Sequence, residues 1–398
     1  MTKILYTFLT VTLFLYSCSV NNSTSHLVEV DITSSYKEKD IDLNEFLTFS
    51  FIPLETNEEA IISAYPSYFI GDSLIIVKSE NDIVLFNKEG KYINRFNRLG
   101  KADNEYNQIN NIVVDFQAKE IFIQGYKPDF LVYSLEGDFK RRLNVSEKYK
   151  AISTEYQPVF LRNQVLNYDD DYLIAVDDRY LDFPNAEDKI NYQPYMLISK
   201  IDGTITPLSL KMNNRYGNRF LRTITINGKE YTQPIELQCS KLQKFGGDIL
   251  VSEFTLDTIY VIKKGVFKPT VVVKGKGKGN REYLTEVIYN SKPHIIVRVA
   301  EKSFEEKEGN FSVGKNMLFF CDKITSSVNV IGDFIGCTSY IYSKGGVDLT
   351  NEYTSFNALD ASELIELYED GMLQGELLNI ASKLRFADNP ILILGKIK

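Results

Sequence analysis

Tryptophan is absent from the 398 residues, and histidine occurs only twice, as His26 and His294. That count excludes a metal site built from several imidazoles, and it leaves His294 as the only imidazole base for a catalytic triad in the body of the chain. A packed or surface histidine is the expected reading of His294. Basic charge is also short, with 45 Lys and Arg against 53 Asp and Glu and a net charge of −8. An acidic surface repels phosphate backbones, so general binding of nucleic acid is not expected. The leading apolar run, residues 4–15, would cover about 18 Å as a helix, well short of the roughly 30 Å of hydrocarbon in a bilayer. The stretch Gly275-Lys276-Gly277-Lys278-Gly279 follows Val271-Val272-Val273. It lacks the Gly-Lys-Ser/Thr ending of a phosphate-binding loop and reads as a connection between structural units. Neither a cofactor nor a metal is expected.

What is present begins with a leader. Met1-Thr2-Lys3 precedes the apolar run, Leu15-Tyr16-Ser17-Cys18 follows it, and the chain then turns polar at once, which is the pattern of a signal peptide. A Leu three places before a Cys, with a small Ser between, matches the lipobox of bacterial lipoproteins. Residues 1–17 are therefore expected to be removed and Cys18 to be acylated, several acyl chains together giving stable anchoring. Residues 18–45 have little apolar periodicity and are expected to form a tether, with the folded body at 46–398. The run Ser19-Val20-Asn21-Asn22-Ser23-Thr24 lacks the acidic residues that follow the Cys in many surface-displayed lipoproteins. This favours a periplasm-facing position on the outer membrane. Three cysteines remain, Cys239, Cys321 and Cys337. An odd number leaves at least one thiol unpaired within the chain. Buried reduced cysteines are expected, although Cys321 and Cys337 are near enough in sequence for a bond between neighbouring strands.

A body of this length exceeds a single core, so it is either two domains or a ring of repeats. The strand pattern selects the ring. Apolar runs at 68–70, 73–77, 83–86 and 92–96 are separated by Gly71-Asp72, Glu80-Asn81-Asp82 and Lys88-Glu89-Gly90, which predicts a four-stranded antiparallel meander. A second follows at 112–116, 121–124, 130–133 and 139–143, with the turn Leu135-Glu136-Gly137-Asp138. The same turn returns as Lys200-Ile201-Asp202-Gly203 and Lys263-Lys264-Gly265. Repeated units of this kind are propeller blades. The segment Gly100-Lys101-Ala102-Asp103-Asn104-Glu105-Tyr106 is echoed by Gly277-Lys278-Gly279-Asn280-Arg281-Glu282-Tyr283, each after the last strand of a unit. Three blades across that interval give about 59 residues each and six blades in the body. Near the end, Asp360 and Glu363 suggest a capping box for one short helix, and 376–384 a second. The apolar run 391–394 is expected to share a blade with 49–54, closing the ring without a free edge.

Four stretches carry a family resemblance: Ile52-Pro53-Leu54-Glu55-Thr56-Asn57, the Gly100 segment, Asp257-Thr258-Ile259-Tyr260 and Asp388-Asn389-Pro390-Ile391. Together they resemble the six-bladed β-propeller lipoproteins of gut-type bacteria, a family related to NHL-repeat propellers. Ala102-Asp103-Asn104-Glu105-Tyr106 stands where that family usually shows Gly-Pro-Gly-Glu-Tyr. The resemblance covers most of the mature chain and implies an all-β, six-bladed propeller of four-stranded antiparallel blades.

Candidate chemistry is sparse. Asp169, Asp170 and Asp171, with Asp177 and Asp178 beyond the next strand, could supply a carboxylate pair for glycoside chemistry or a Ca²⁺ site. The turn-forming habit of Asp is the stronger explanation of the first three. The 25 Tyr and 25 Phe offer contact surface for sugars or peptides, with most expected to pack between blades. The insertions at 177–193 and 213–230 are the expected recognition loops. The expected function is a non-enzymatic, membrane-anchored envelope module that binds a protein, peptide or glycan. The alternative is a carbohydrate-active hydrolase or lyase with carboxylates at the propeller channel.

Overall fold

The computed structural model describes residues 27–63, 66–150, 160, 164–177, 193–210, 219–226, 229–236, 239–245, 247–276, 282–307, 310–313, 315–335, 348–349 and 353–398. The chain is a six-bladed β-propeller. Blade 1 is the meander Ser67–Ile70, Leu74–Ser79, Asp82–Asn87 and Tyr92–Asn97. Blade 2 comprises Asn111–Asp115, Glu120–Gln124, Phe130–Ser134 and Phe139–Leu143. Blade 3 comprises Val165–Asn167, Tyr172–Val176, Tyr195–Ser199 and Ile205–Pro207. Blade 4 runs through Leu242–Phe245, Asp248–Val251, Thr258–Lys263 and Val266–Lys274. Blade 5 runs through Tyr283–Asn290, His294–Glu301, Asn316–Asp322 and Val328–Ile335. The inner strands begin at unequal intervals, so about 59 residues per blade is an average that hides large insertions.

Blade 6 closes the ring as the sequence pattern predicts. Leu47–Pro53 pairs antiparallel with Ile391–Ile397, Leu47 opposite Ile397 and Pro53 opposite Ile391. Tyr353–Leu359 lies on the other side of Ile391–Ile397, so the sheet has three strands among the described residues.

Ring closure shows in the cores. Phe96 and Leu85 meet Ile121 and Tyr133 between blades 1 and 2, and Phe122 and Phe130 meet Leu173 and Ile198 between blades 2 and 3. Ile174 and Tyr195 meet Leu242 and Ile249 between blades 3 and 4, and Leu250 and Ile259 meet Val287 and Val297 between blades 4 and 5. Phe320 and Ile331 meet Leu47 between blades 5 and 6, while Leu392 and Leu394 meet Val77 and Phe86 between blades 6 and 1. Each sheet is apolar on both faces and is buried against both neighbours, which is why its strands read as nearly continuous hydrophobic runs rather than strict alternations.

The expected tether ends earlier than residue 45. Val28–Asp31 joins the outer edge of blade 4, parallel to Val266–Lys274, and Glu38–Asp42 joins the outer edge of blade 5, parallel to Val328–Ile335. Val28, Val30, Ile41 and Leu43 are buried. Two edges that would otherwise be free are thereby covered by the chain's own N-terminal segment.

All first strands run one way, which gives the ring two distinct ends. At the turn end lie the connections between strands one and two and between strands three and four. In blades 1–5 these are tight, none longer than the five residues 200–204. Gly90, Gly137, Gly203 and Gly265 hold the third-to-fourth turns with positive φ, as the repeated turn pattern implied. Gly137 also lacks room: a Cβ there would fall 2.5 Å from the ring of Phe96 in the preceding blade. At the loop end lie all the longer connections of these blades, including the hairpins Arg219–Ile226 with Lys229–Glu236 and Phe304–Lys307 with Asn310–Val313. Blade 6 alone carries helices at the turn end, Ala361–Glu369 and Gly375–Ala381. Asp360 is the N-cap residue of the first, but its side chain makes no capping hydrogen bond, so the expected capping box is not formed. Leu364, Leu373 and Leu377 instead hold the helices against Ile391 and Ile393.

The axis of the ring is occupied. Asp348–Leu349 pairs parallel with Phe69 and Ile70 on the inner edge of blade 1 and also approaches Leu242–Phe245 of blade 4.

Candidate binding face

A polar collar, buried in blades 2–4 and half-buried in blade 5, encircles part of the loop end. In each blade the second strand finishes there beside the start of the first, and in four consecutive blades polar residues occupy both places. In blade 2, Asn111 Nδ2 donates to Gln124 Oε1 at 2.7 Å and to the Phe160 carbonyl at 3.1 Å. In blade 3, the Val176 amide donates to the Gln164 carbonyl, and the buried Asp177 carboxylate accepts from the Tyr149 hydroxyl at 3.4 Å. In blade 4, the Ser252 amide donates to the Lys241 carbonyl, and the Lys241 ammonium sits 5.1 Å from the centre of the Phe254 ring. In blade 5, the Lys302 amide donates to the Glu282 carbonyl, and Lys302 Nζ lies 2.7 Å from Glu282 Oε2. Ser79 holds the same place in blade 1, where its hydroxyl accepts from the Ser63 amide at 2.8 Å.

Charge gathers around blades 3 and 4. The Tyr195 hydroxyl donates to Glu253 Oε2 at 2.8 Å, and Glu253 is fully buried. Lys276 Nζ donates to the carbonyls of Phe254 and Leu256 at 2.6 and 2.7 Å. Burial drives the Lys276 pKa down to about 7, against the opposing pull of Glu253 and Asp257. Ser252 Oγ, Thr255 Oγ1 and Gln164 Oε1 are buried in this region with no hydrogen-bond partner among the described residues. Buried oxygens of this kind are costly unless water or a ligand completes them.

The aspartates singled out from sequence do not assemble. Asp169 Oδ1 accepts from the amides of Asp171 and Tyr172 at 3.0 and 2.8 Å, so it shapes the turn before strand Tyr172–Val176, as the turn reading expects. That strand runs from the turn end to the loop end, which places Asp177 at the opposite end of the blade, about 17 Å away at strand rise. Asp178 lies outside the described residues. A hydrolytic pair from this set would need the two ends to meet.

The remaining candidates have structural roles. His294 packs edge-on against Phe46, with ring centres 4.9 Å apart, and beside Phe320 at 5.0 Å. Desolvation lowers its pKa despite Asp322. Cys239 and Cys321 are free and buried, and burial pushes both thiols up to about 12. Neither is an activated nucleophile. Cys18, His26 and Cys337 lie outside the described residues, as do residues 277–281. In the Gly275 loop, Lys276 is turned inward and is not presented to a phosphate. Among the described residues no three of His, Cys, Asp and Glu come together as a metal group, and no helix is long and apolar enough to cross a membrane.

The Gly100 segment proves to be an interblade fastener. The Tyr106 hydroxyl donates to the Asn81 carbonyl at 2.7 Å and accepts from the Arg98 amide at 2.9 Å. Its ring meets Tyr133 edge-on at 6.0 Å. Glu105 Oε2 accepts from the Ala102 amide at 3.0 Å. The Glu-Tyr pair thus folds the connection and wedges blades 1 and 2. Tyr283, the second copy, packs on the core between blades 4 and 5.

The collar escaped sequence reasoning because its members share a position and not a residue type. The one available signal is a polar residue ending the second apolar run of each unit, as Ser79, Gln124, Asp177 and Ser252 do.

Six interlocked blades with a polar loop end define a six-bladed β-propeller. The chain belongs to the family described as a domain of unknown function (DUF4934), which matches residues 27–396. A solved protein of Bacteroides fragilis NCTC 9343, described as exported, is similar in fold at 14% identity and a TM-score of 0.59, with 94% of this chain and 99% of that one covered. A member of the DUF4221 family from Bacteroides vulgatus ATCC 8482 matches at 10% identity and a TM-score of 0.47, covering 88% and 97%. No curated protein matches the sequence.

Proposed function

We propose that this protein is an exported envelope lipoprotein, acylated at Cys18, whose propeller captures a protein, peptide or glycan at its loop end without catalysing a reaction. The observation that carries this reading is the polarity of the ring. In blades 1–5 every long connection and both hairpins leave from one end, above a polar collar, while the other end is trimmed to tight turns. Loops displayed on a rigid scaffold are the usual place for recognition. The leader supports the location, as does the description of the similar Bacteroides fragilis protein as exported; the periplasmic side of the outer membrane is favoured by the neutral residues after Cys18. Oxygens of Ser252, Thr255 and Gln164 that find no partner among the described residues offer hydrogen-bonding capacity beneath the loops.

The mature chain, immobilised and lightly cross-linked in envelope extract, tests the reading. Deletion of either hairpin, 219–236 or 304–313, is expected to abolish capture while thermal unfolding stays cooperative. Undiminished capture by both deletions would contradict it.

A further inference from the structure

The turn end carries exposed apolar side chains at one level around the ring. Ile201 and Ile324 occupy the third-to-fourth turns of blades 3 and 5, and Val266 opens the fourth strand of blade 4. Met372 and Phe386 belong to the helical connection of blade 6. These five are between 52% and 76% exposed, and Phe139 holds the corresponding place in blade 2. Single exposed apolar residues are ordinary, and Ile61, Leu99, Tyr126 and Ile335 are exposed toward the loop end; the turn end differs in carrying one in each of five consecutive blades. An apolar groove lined by Pro53, Ile380 and Leu384 opens at the same end.

The N-terminal strand supplies the occupant. Val28–Asp31 runs parallel to Val266–Lys274, Val28 opposite Val271, so its leading end points toward the turn end. Cys18 precedes Leu27 by nine positions, at most about 30 Å of extended chain. An acyl group on Cys18 holds Leu27 within that reach of the bilayer, and the direction of the strand leads the tether out past the turn end.

We propose that the turn end rests on the membrane surface, with Ile201, Val266, Ile324, Met372 and Phe386 in the headgroup layer and the loop end directed away toward its partner. The proposal rests on the acylation of Cys18. Apolar side chains at the acyl boundary strengthen a lipid anchor that a single chain would make reversible. Asp202, Asp322 and Asp370 at the same end favour zwitterionic over anionic lipid.

The absence of tryptophan makes the test direct. Residues 27–397 close the ring by themselves, so a chain starting at residue 19 with an N-terminal hexahistidine can be held on phosphatidylcholine vesicles containing nickel-chelating lipid, whatever the state of Cys18. Single variants Ile201→Trp, Ile324→Trp and Met372→Trp are compared with Tyr126→Trp at the loop end. The first three are expected to shift emission to shorter wavelength and to lose intensity to brominated acyl chains, with position 126 unchanged. Emission from the three as in free solution, or quenching at 126 instead, would overturn the proposal. The mass of the N-terminal peptide from native membranes reports acylation separately; an unmodified Cys18 removes the anchor and the reading on which the proposal rests.

Discussion

Lys200 of blade 3 places its Nζ 2.6 Å from Asp115 Oδ2 of blade 2, with both side chains only 4% exposed. Lys200 also donates to the Asp169 carbonyl, and its own carbonyl accepts from Arg141. One lysine therefore joins two blades and the Asp169 turn. Removing one member of a buried pair leaves the other charge uncompensated. Lys200→Met is expected to lose about 3–5 kcal/mol, and Lys200→Met with Asp115→Leu to recover part of it. Urea unfolding of the three proteins checks this.

Tyr106 is fastened through its hydroxyl at both sides of a connection. Tyr106→Phe keeps the ring packed and strands the Arg98 amide and Asn81 carbonyl, a loss of about 1–3 kcal/mol. Tyr106→Ala adds the interblade cavity and is expected to lose more. Equal losses for the two variants would show that the hydroxyl, and not the wedge, carries the residue's role.

Gly137 and Gly371 both have positive φ, +89° and +69°, but only Gly137 faces a neighbour, Phe96. Gly137→Ala is expected to cost more than about 1 kcal/mol and clearly more than Gly371→Ala, where nothing lies within 4 Å. Matched thermal midpoints of the two variants would contradict the close approach between blades.

Lys276 links stability to pH. Burial lowers its folded-state pKa to about 7, below the ordinary value, so between the two the unfolded chain binds more protons and stability rises with pH. The cost of holding the charged lysine is fully present below about pH 7 and is relieved as pH climbs toward the unfolded pKa. Relative to the wild type, Lys276→Met should gain most at about pH 6, keep less than half of that advantage at about pH 9 and lose it only near the ordinary lysine pKa of 10.5. Chemical denaturation at both values checks the sign.

Much of the ring was legible because each meander announces itself. Apolar strands flanked by Lys-Glu-Gly or Ile-Asp-Gly turns fix strand ends locally, and the two Gly-to-Tyr segments mark equivalent places three blades apart. Strands 28–31 and 38–42 were not legible, because Val28, Val30 and Ile41 become strand residues only when a blade edge is there to pair with. The separation of Asp169 from Asp177 was hidden by their nearness in sequence, since a five-residue strand carries the chain from one end of the ring to the other. The collar was invisible for a similar reason: Gln124, Asp177 and Ser252 are alike only after the blades are superposed.

Photo-cross-linking in living cells tests the central claim, that the loop end meets the partner. A photoreactive amino acid is placed at Tyr126 or Glu282 on the loop end and at Ile201 or Ile324 on the turn end. A discrete cross-linked species from the loop-end positions, absent from the turn-end ones, is the predicted result. A protein adduct arising from Ile201 and Ile324, with none from Tyr126 and Glu282, would contradict the account.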